Sequence, residues 1–416
     1  MAGLVSRAMR ETPENSMIDP QVDDARARRA VPFLLWAQAV LGAQMTVHFI
    51  LGGLAGSLLA ENKALATLPI TMIVLGAMLL APVMSWLMGR WGRRTGFLIG
   101  ATAGASGGAL AAQALVEGSF VLLLIACLIT GIYMAGQNFY RFAAADLASR
   151  DYRPKAISWV MVGGLIAAVI GPELVIWFKD SMAPIPFAGA YRAMIVLNLV
   201  GAIPLIFLDI PLQPRGPLDQ RQGRPWREIL AQRRIVVAIL CAMVSFSLMS
   251  LVMTSTPLAM VHHGFGTDAA AGVVRVHVLA MYAPSFVTGL LIARYRSPRI
   301  IAVGLALLAA GALVALSGME MFNFNVALTL IGVGWNFGFI GATTMLAGAH
   351  LPEERARVQG LNDFLVMGMV TLASGSSGAL MAQLGWQAVN LAVIPLLVLA
   401  SVALILLTLS ERTVRP

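Results

Sequence analysis

The stretch that decides the fold class is Ala64-Leu-Ala-Thr-Leu-Pro-Ile-Thr-Met-Ile-Val-Leu-Gly-Ala-Met-Leu-Leu-Ala-Pro-Val-Met-Ser-Trp-Leu-Met88. These 25 residues carry no charge, and the basic cluster Gly89-Arg90-Trp91-Gly92-Arg93-Arg94 follows them directly. An apolar run of about 20 residues is long enough to cross the hydrocarbon core of a bilayer as a helix. The stretch therefore predicts a membrane-spanning helix over 64–88 with a basic loop at its end.

The rest of the chain has the same character. Of its 416 residues, 58% are hydrophobic and only 12% are charged, whereas a soluble domain is about 45–50% apolar and about 25% charged. We therefore expect an all-α integral membrane protein whose outer surface faces the lipid bilayer. Apolar runs bounded by charges and turn residues predict twelve transmembrane helices, here called spans 1 to 12: 31–60, 64–88, 95–116, 120–145, 156–178, 188–209, 235–262, 269–292, 300–316, 323–349, 358–383 and 387–409.

The positive charges lie on one side of these spans. The two tails and the even-numbered loops hold 24 of the 29 Lys and Arg residues. This bias predicts that both termini are cytoplasmic in a multi-pass protein of the bacterial inner membrane. The net charge of +9 is thus interpreted as a topology signal and not as a nucleic-acid-binding surface.

One long connection divides the chain. Segment 210–234 contains four prolines and six arginines, so we expect a cytoplasmic tail over 1–30, six-helix bundles over 31–209 and 235–409, a cytoplasmic linker over 210–234, and a cytoplasmic tail over 410–416. Within the linker, Trp226, Ile229 and Leu230 alternate with arginines. That pattern is typical of a short interfacial helix, and a solvated linker is the alternative.

The two halves repeat weakly at an offset of about 202 residues, so that Tyr133 matches Trp335 and Gly136 matches Gly338. Segment 85–94 resembles the pattern Gly-x-x-x-Asp-Arg-x-Gly-Arg-Arg of the major facilitator superfamily, although Ser85 replaces the first glycine and Gly89 replaces the aspartate. The resemblance implies two parallel six-helix repeats and a secondary transporter that works by alternating access.

Two further resemblances bear on the solute. Gly163, Ala167, Gly171 and Pro172 in span 5 are similar to the Gly-x-x-x-Gly-Pro signature of drug–proton antiporters, and ordinary packing of small residues explains them equally well. Segments 253–260 and 277–289 resemble a bacterial branch of the superfamily associated with riboflavin-type or other aromatic solutes. The expected cargo is a small organic solute; multidrug or amphiphile efflux is the alternative.

Ionisable residues inside the spans predict gates, because each costs about 2.5–3.5 kcal/mol in a bilayer and normally faces the protein interior. In the family that the sequence resembles, span 5 faces span 8 and span 2 faces span 11. We therefore expect Glu173 and Arg275 to pair at the periplasmic side, with separate exposure to water as the alternative. At the cytoplasmic side, we expect Asp363 to hold Arg90 and Asp146 to hold Arg93 or Arg94, with static charge pairs as the alternative.

Polar and aromatic residues near mid-span are the candidates for a central cavity, because rings stack on planar solutes and amides fix their orientation. They are Gln38, Gln44, His48, Tyr133, Gln137, Asn138, Arg141, Ser250, Thr254, Trp335 and Asn336. Interhelical hydrogen bonding is the alternative for each of them. Proton coupling needs a titratable group, for which Glu173, Asp363, His48 and His277 are the candidates.

Other chemistry is not expected. Cys127 and Cys241 lie in apolar runs, which predicts buried thiols and no disulfide. No nucleophile–base set or metal-ligand spacing occurs, so we expect no enzyme activity, no metal and no cofactor. A membrane sensor or scaffold is a second alternative, but the short linker and tail offer no output domain. We expect a monomer.

Overall fold

The computed structural model describes residues 24–149, 152–211, 223–351 and 354–413, and the regular structure of these ranges is helical. The helices are α1 (Asp24–Val40), α2 (Ala43–Leu59), α3 (Leu68–Trp91), α4 (Arg93–Glu117), α5 (Phe120–Gln137), α6 (Tyr140–Leu147), α7 (Arg153–Phe178), α8 (Ala188–Ile206), α9 (Trp226–Ala231), α10 (Arg233–His262), α11 (Thr267–Tyr282), α12 (Ser285–Tyr295), α13 (Ser297–Ser317), α14 (Met321–Ala347), α15 (Arg355–Leu391) and α16 (Val393–Thr413).

Eleven helical segments within these ranges are long and apolar enough to cross a membrane. The last one, Arg357–Glu411, has 55 residues, about 80 Å of helix against a hydrocarbon core of about 30 Å. Gly385 interrupts it with a φ of 77°, a left-handed conformation that suits glycine. The segment is therefore long enough to cross twice, and its kink at Gly385 lies between predicted spans 11 and 12.

Three spans that the sequence predicts as continuous are interrupted near their middle. Span 1 breaks at 41–42, span 4 at 138–139 and span 8 at 283–284. Pro284 directly precedes α12, and proline cannot donate a helical hydrogen bond to the preceding turn. The breaks divide each of these spans into two shorter helices.

The first helix also begins earlier than predicted. α1 starts at Asp24, inside the segment that the sequence assigns to the cytoplasmic tail. The carboxylate of Asp24 accepts hydrogen bonds from the backbone N–H and the hydroxyl of Ser149, both at 2.8 Å. These bonds fix the start of span 1 to the end of span 4. Residues 1–23 of the predicted tail lie outside the described residues.

Close backbone approach holds each half together. A Cβ atom on Gly131 would lie 2.7 Å from the Cα of Gly76, so α5 and α3 touch at the backbone. In the second half, α13 and α14 approach as closely, since a Cβ on Gly304 would lie 2.8 Å from the Cα of Gly338. Small residues allow such helix contacts, which largely replace the hydrophobic effect inside a bilayer.

Among the described residues, the main contacts between the two halves lie towards one side of the bundle. We call the side with the linker and the loops at 92, 148–152 and 348–354 the basic face, and the opposite side the distal face. Across the halves, α7 packs against α11, α3 against α15, and α2 against α10. The helices on the basic side of the breaks, α1, α6 and α12, pack chiefly within their own half. In the part of the chain that the structure describes, the bundle is therefore closed at the distal face and more open at the basic face.

Candidate solute pathway

Three polar side chains are exposed in the middle of the bundle. Asn138 and Arg141 follow the break in span 4, and Asp363 lies on α15; all three are exposed. Asp363 is eight residues from the start of α15, about 12 Å along the helix from the basic face. Charges at such depth avoid lipid. They therefore mark a water-accessible vestibule between the halves.

Arg141 and Asp363 belong to different halves, and their charges interact electrostatically. Tyr282, at the end of α11, also lies within reach of the Arg141 charge. The Asp363 carboxylate accepts a hydrogen bond from the amide of Asn362 at 3.1 Å. The first half thus contributes a cation, Arg141, to the vestibule, and the second half contributes an anion, Asp363.

The predicted pair of Arg90 and Asp363 is not formed: no ion pair between described side chains joins them. Arg90 lies in the last turn of α3, with its guanidinium 6.0 Å from the centre of the Trp86 ring. Asp363 faces Arg141 instead, deeper in the vestibule. The separation of the halves at the basic face keeps the two predicted partners apart.

The predicted contact between Arg93 and Asp146 is present at 2.8 Å. Arg93 also lies over the ring of Phe139, 5.2 Å from its centre. This pair joins the loop after span 2 to α6, and both partners belong to the first half. In this conformation it therefore stabilises one half and does not connect the two.

An aromatic cluster lines the second half beside Arg141. Trp335 and Phe339 of α14 stack at 5.5 Å with an interplanar angle of 11°. Phe246 of α10 meets both rings edge-on, at 5.4 and 5.1 Å, and Tyr282 lies 6.4 Å from Trp335. We call Phe246, Tyr282, Trp335 and Phe339 the aromatic cluster; of these only Trp335 is among the predicted cavity residues.

Most of the other predicted cavity residues of the first half serve helix packing. Gln44 is fully buried and exchanges amide hydrogen bonds with Asn198 of α8, at 3.1 and 3.2 Å. His48 is buried with its ring 5.5 Å from that of Tyr191. These side chains point to span 6 and away from the vestibule.

The remaining predictions for the first half divide in the same way. Gln38 is buried against Gly163 of α7, and Tyr133 is fully buried in the core of this half. Gln137 is half-buried beside Gly42, at the break in span 1. Of the predicted cavity amides in the first half, Gln137 and the exposed Asn138 are therefore the best candidates to contact a solute.

In the second half, the buried polar residues hold the break in span 8. The Asn336 amide donates to Met281 O and the Ser285 hydroxyl, at 2.6 and 2.7 Å, and its oxygen accepts from Thr288. His277 Nδ1 lies 2.6 Å from Leu328 O. These contacts position α11 and α12 against α14. Ser250 and Thr254 are buried in α10, with Thr254 close to Gly53.

The predicted contact between Glu173 and Arg275 is present at the distal face. Arg275 Nη2 lies 2.5 Å from Glu173 Oε1. A second cross-half pair joins Lys179 Nζ to Asp268 at 3.3 Å. The pKa of Lys179 is raised, chiefly by its hydrogen bond to Asp180 and further by Asp268. Two ion pairs therefore connect α7 to α11.

The other edge of the distal closure consists of hydroxyl groups. The Thr67 hydroxyl donates to Ser374 O at 2.8 Å and accepts from the backbone N–H of Gly378 at 3.0 Å. Ser374 also donates to the Thr71 hydroxyl at 3.2 Å. We call these bonds between spans 2 and 11 the hydroxyl seam.

The linker helix α9 is attached to the second half. Glu354 is buried. Its carboxylate accepts hydrogen bonds from Arg224 Nε and Nη2, both at 2.7 Å, and from the backbone N–H groups of Arg224 and Leu351. The hydrogen bonds from Arg224 are the main reason that the Glu354 pKa falls to about 2. The predicted short helix is present; Ile229 is buried against the protein, while Trp226 and Leu230 are exposed.

The glycines of span 5 have a packing role. A Cβ on Gly163 would meet Leu35 O at 2.6 Å, and one on Gly171 would meet Ala43 O at 2.7 Å. Both glycines therefore let α7 approach span 1. This contact gives the pattern a packing role, and efflux stays the alternative that its resemblance to the antiporter signature suggests.

Comparison with known proteins places these features in context. The sequence profile of the Major Facilitator Superfamily matches residues 34–369. The riboflavin transporter RfnT of Brucella anthropi is 42% identical over 386 residues, which cover 92% of this chain and 97% of that protein. The uncharacterised MFS-type transporter YddS of Bacillus subtilis is 30% identical and covers 87% of this chain and 86% of its own length.

Solved transporters share the fold. A crystal structure of a mutant of the nucleoside transporter NupG superposes with a TM-score of 0.70 at 16% identity, over 91% of this chain and 99% of that one. A partially occluded inward-open structure of the xylose transporter XylE from E. coli gives 0.69 at 12% identity, over 91% and 97%.

Proposed function

The chain belongs to the major facilitator superfamily and is a multi-pass membrane transporter of a small solute, and we propose that this solute is planar and heteroaromatic, with riboflavin as the first candidate. The function is transport and not an enzymatic reaction, as in its relatives. Alternating access between the two six-helix halves is the proposed mechanism.

The aromatic cluster carries the proposal for the solute class. Phe246, Trp335 and Phe339 place three ring surfaces beside the vestibule, and the Trp335 indole N–H has no hydrogen-bond partner among the described residues. Aromatic pairs contribute about 0.5–1.5 kcal/mol beyond area burial, and a buried donor without a partner favours a ligand that accepts a hydrogen bond. A flat ring with carbonyl edges satisfies both requirements. The relative named as a riboflavin transporter supports the same class.

The conformation supports alternating access. The distal face is closed by the Glu173–Arg275 pair and the hydroxyl seam, while Arg141 and Asp363 are exposed to the vestibule. We propose that the distal contacts break as the basic face closes. In that closure Arg141 and Asp363 approach each other, in place of the pair first expected between Arg90 and Asp363.

Proton coupling is assigned to Asp363. Of the four candidates, His48 and His277 are buried in helix contacts and Glu173 belongs to the distal closure. Asp363 is a carboxylate exposed in the pathway with a cation opposite it. A nearby cation favours the ionised form of a carboxylate. Solute binding or closure of the vestibule changes the distance between Asp363 and Arg141 and therefore the protonation of Asp363. This residue thus links protonation to the transport cycle.

The basic face is proposed to be cytoplasmic, in the bacterial inner membrane, with the chain acting as a monomer. The support is the distribution of Lys and Arg. A cysteine introduced at Val116, near the distal face, should react with an impermeant maleimide in intact cells, and one at Ala231 should react only in inverted vesicles. The opposite labelling pattern would reverse the orientation.

Uptake of labelled riboflavin into proteoliposomes, with and without a pH gradient, tests the function. Trp335→Ala and Phe339→Ala should each raise the KM about 2- to 13-fold, the equivalent of losing about 0.5–1.5 kcal/mol of stacking. Phe322→Ala is the matched control, since Phe322 lies on the same helix and is exposed. Absence of riboflavin transport by well-folded protein, or an unchanged KM in both cluster variants, would overturn the proposal.

A further inference from the structure

A second cavity opens at the distal face, on the far side of the closure from the vestibule. It encloses about 770 Å³ and is lined by both halves, including the ends of α2, α10 and α15. Small-molecule sites typically measure about 300–1,000 Å³. The cavity is therefore large enough for a solute of the proposed class.

The contacts that close the distal face form the floor of this cavity. Leu258, which lines it, would lie 3.3 Å from a Cβ placed on Gly53 of the other half. Gly378, which also lines it, donates to Thr67 in the hydroxyl seam. A molecule in the cavity thus rests on the residues that must separate for the distal side to open.

The polar groups of the lining are nearly all donors or nitrogen bases. The Lys63 ammonium donates to Ser57 O at 2.6 Å and Ala60 O at 3.0 Å, and an ammonium carries a third N–H. His262 and His263 are exposed, with ring centres 5.4 Å apart. Their imidazoles make no hydrogen bond to any part of the chain that the structure describes.

The lining contains no carboxylate, although Glu61 and Glu320 are neighbours in sequence of the lining segments. Its other side chains are largely apolar. Trp386 is held by an indole hydrogen bond to Ala315 O at 3.1 Å, and Met319 and Met381 lie on the same lining. An apolar wall opposite donors suits a planar ring with an acceptor-rich or anionic edge.

We propose that the distal cavity is a second binding site for the transported solute, occupied while the vestibule faces the basic side. The proposal rests on the proposed function for the solute class. The distal cavity is then a separate binding site on the transport pathway, in which Lys63, His262 and His263 bind the polar edge of the ring.

Binding stoichiometry tests the proposal. Purified protein in nanodiscs should bind two riboflavin molecules per chain by equilibrium dialysis. Ala382→Trp should fill the distal cavity, since Ala382 lines it and is exposed, and reduce the stoichiometry to one. Trp335→Ala should weaken the remaining site and spare the distal one. Val116→Trp, at an exposed distal position outside the cavity, is the matched control and should retain two.

Thiol protection locates the ligand independently. Cys127 and Cys241 are buried, so Ala382→Cys adds one accessible thiol to the cavity lining. Riboflavin at about nine times its dissociation constant should slow maleimide labelling of this thiol about tenfold by mass action, also in the Trp335→Ala background. Two results would overturn the distal site and leave the proposed function intact. One is a stoichiometry of one riboflavin per chain in both the wild type and Ala382→Trp. The other is maleimide labelling that riboflavin does not slow. Absence of any riboflavin binding would overturn both.

Discussion

Asp363 is the residue on which the proposed coupling depends. Replacement by Asn removes the titratable group but keeps the size of the side chain. We expect Asp363→Asn to lose accumulation driven by a pH gradient and to retain riboflavin exchange between the two sides, because exchange needs no net proton movement. Uptake and counterflow assays in proteoliposomes measure the two activities separately.

The control for this variant is Glu117→Gln, an exposed carboxylate at the end of α4 that bonds only to Gln113 in the described structure. It should keep both activities. Full gradient-driven accumulation in Asp363→Asn would show that another group carries the proton.

The sequence predicted how deep a charged residue lies along its helix better than it predicted which neighbouring helix a polar side chain faces. The Glu173–Arg275 contact was predicted by counting residues along two helices that the family resemblance places opposite each other. In contrast, Gln44, His48 and Asn336 were expected in the cavity and lie between helices, because polar residues in a uniformly apolar span do not reveal which neighbour they face. Phe246 and Phe339 were missed, since apolar rings in a span are equally typical of a lipid-facing surface.

Among the elements, the linker helix depends on one buried carboxylate. We expect Glu354→Gln to release α9 and to speed tryptic cleavage after Arg227. Because the pKa of Glu354 is lowered to about 2, the attachment is at full strength above the ordinary pKa of glutamate and is lost only as the pH falls through about 2. Cleavage of the wild type, measured relative to cleavage of an unstructured peptide with the same site, should therefore not change between about pH 5 and pH 8.

The matched control is Glu411→Gln, which removes the exposed pair with Arg234 at 3.4 Å. Exposed ion pairs contribute little, so its cleavage pattern should equal that of the wild type. Equal cleavage in both variants would mean that Glu354 does not hold the helix.

Backbone contact between α3 and α5 makes a second prediction at this scale. Gly131→Leu forces a side chain into a gap where even a Cβ would lie 2.7 Å from Ile73 O. Overpacking of this kind costs about 1–3 kcal/mol, so the variant should unfold at lower temperature. A thiol-reactive dye can follow unfolding, since both native cysteines are buried.

Gly360→Ala is the companion variant, because a Cβ there meets nothing within 4 Å. Alanine in a helix is favoured over glycine by about 0.5–1 kcal/mol, so its unfolding temperature should be equal or higher. Equal unfolding temperatures for Gly131→Leu and the wild type would contradict the close contact.

Hydrophobic runs and charges were sufficient to predict the number of spans and their order. The breaks in spans 1, 4 and 8 were not predicted, because an apolar run has the same composition whether its helix is continuous or interrupted. Only Pro284 gives a local signal. The early start of α1 depends on bonds to Ser149, a residue more than 100 positions away in sequence, which no local pattern reveals.

For the whole molecule, the distal ion pair is predicted to bias the equilibrium between the two open states. Glu173→Arg and Arg275→Glu should each weaken distal closure by placing like charges together, and should slow transport. The double exchange restores opposite charges across the same gap, so it should recover part of the activity. Transport by proteoliposomes measures all three variants.

Glu117→Lys, a change of an exposed charge that bonds to Gln113 of its own helix, serves as the comparison and should have the smaller effect. If the double exchange transports no better than either single variant, the Glu173–Arg275 contact has no role in gating.

The two edges of the distal closure differ in chemistry, and this gives them different responses to ionic strength. The α7–α11 edge relies on partly exposed charges, and the Debye length falls from about 10 Å at 0.1 M salt to about 3 Å at 1 M. The hydroxyl seam between spans 2 and 11 is buried and uncharged. Concentrated salt should therefore weaken the α7–α11 edge and leave the hydroxyl seam in place, so that the distal side opens asymmetrically, by rotation about the seam.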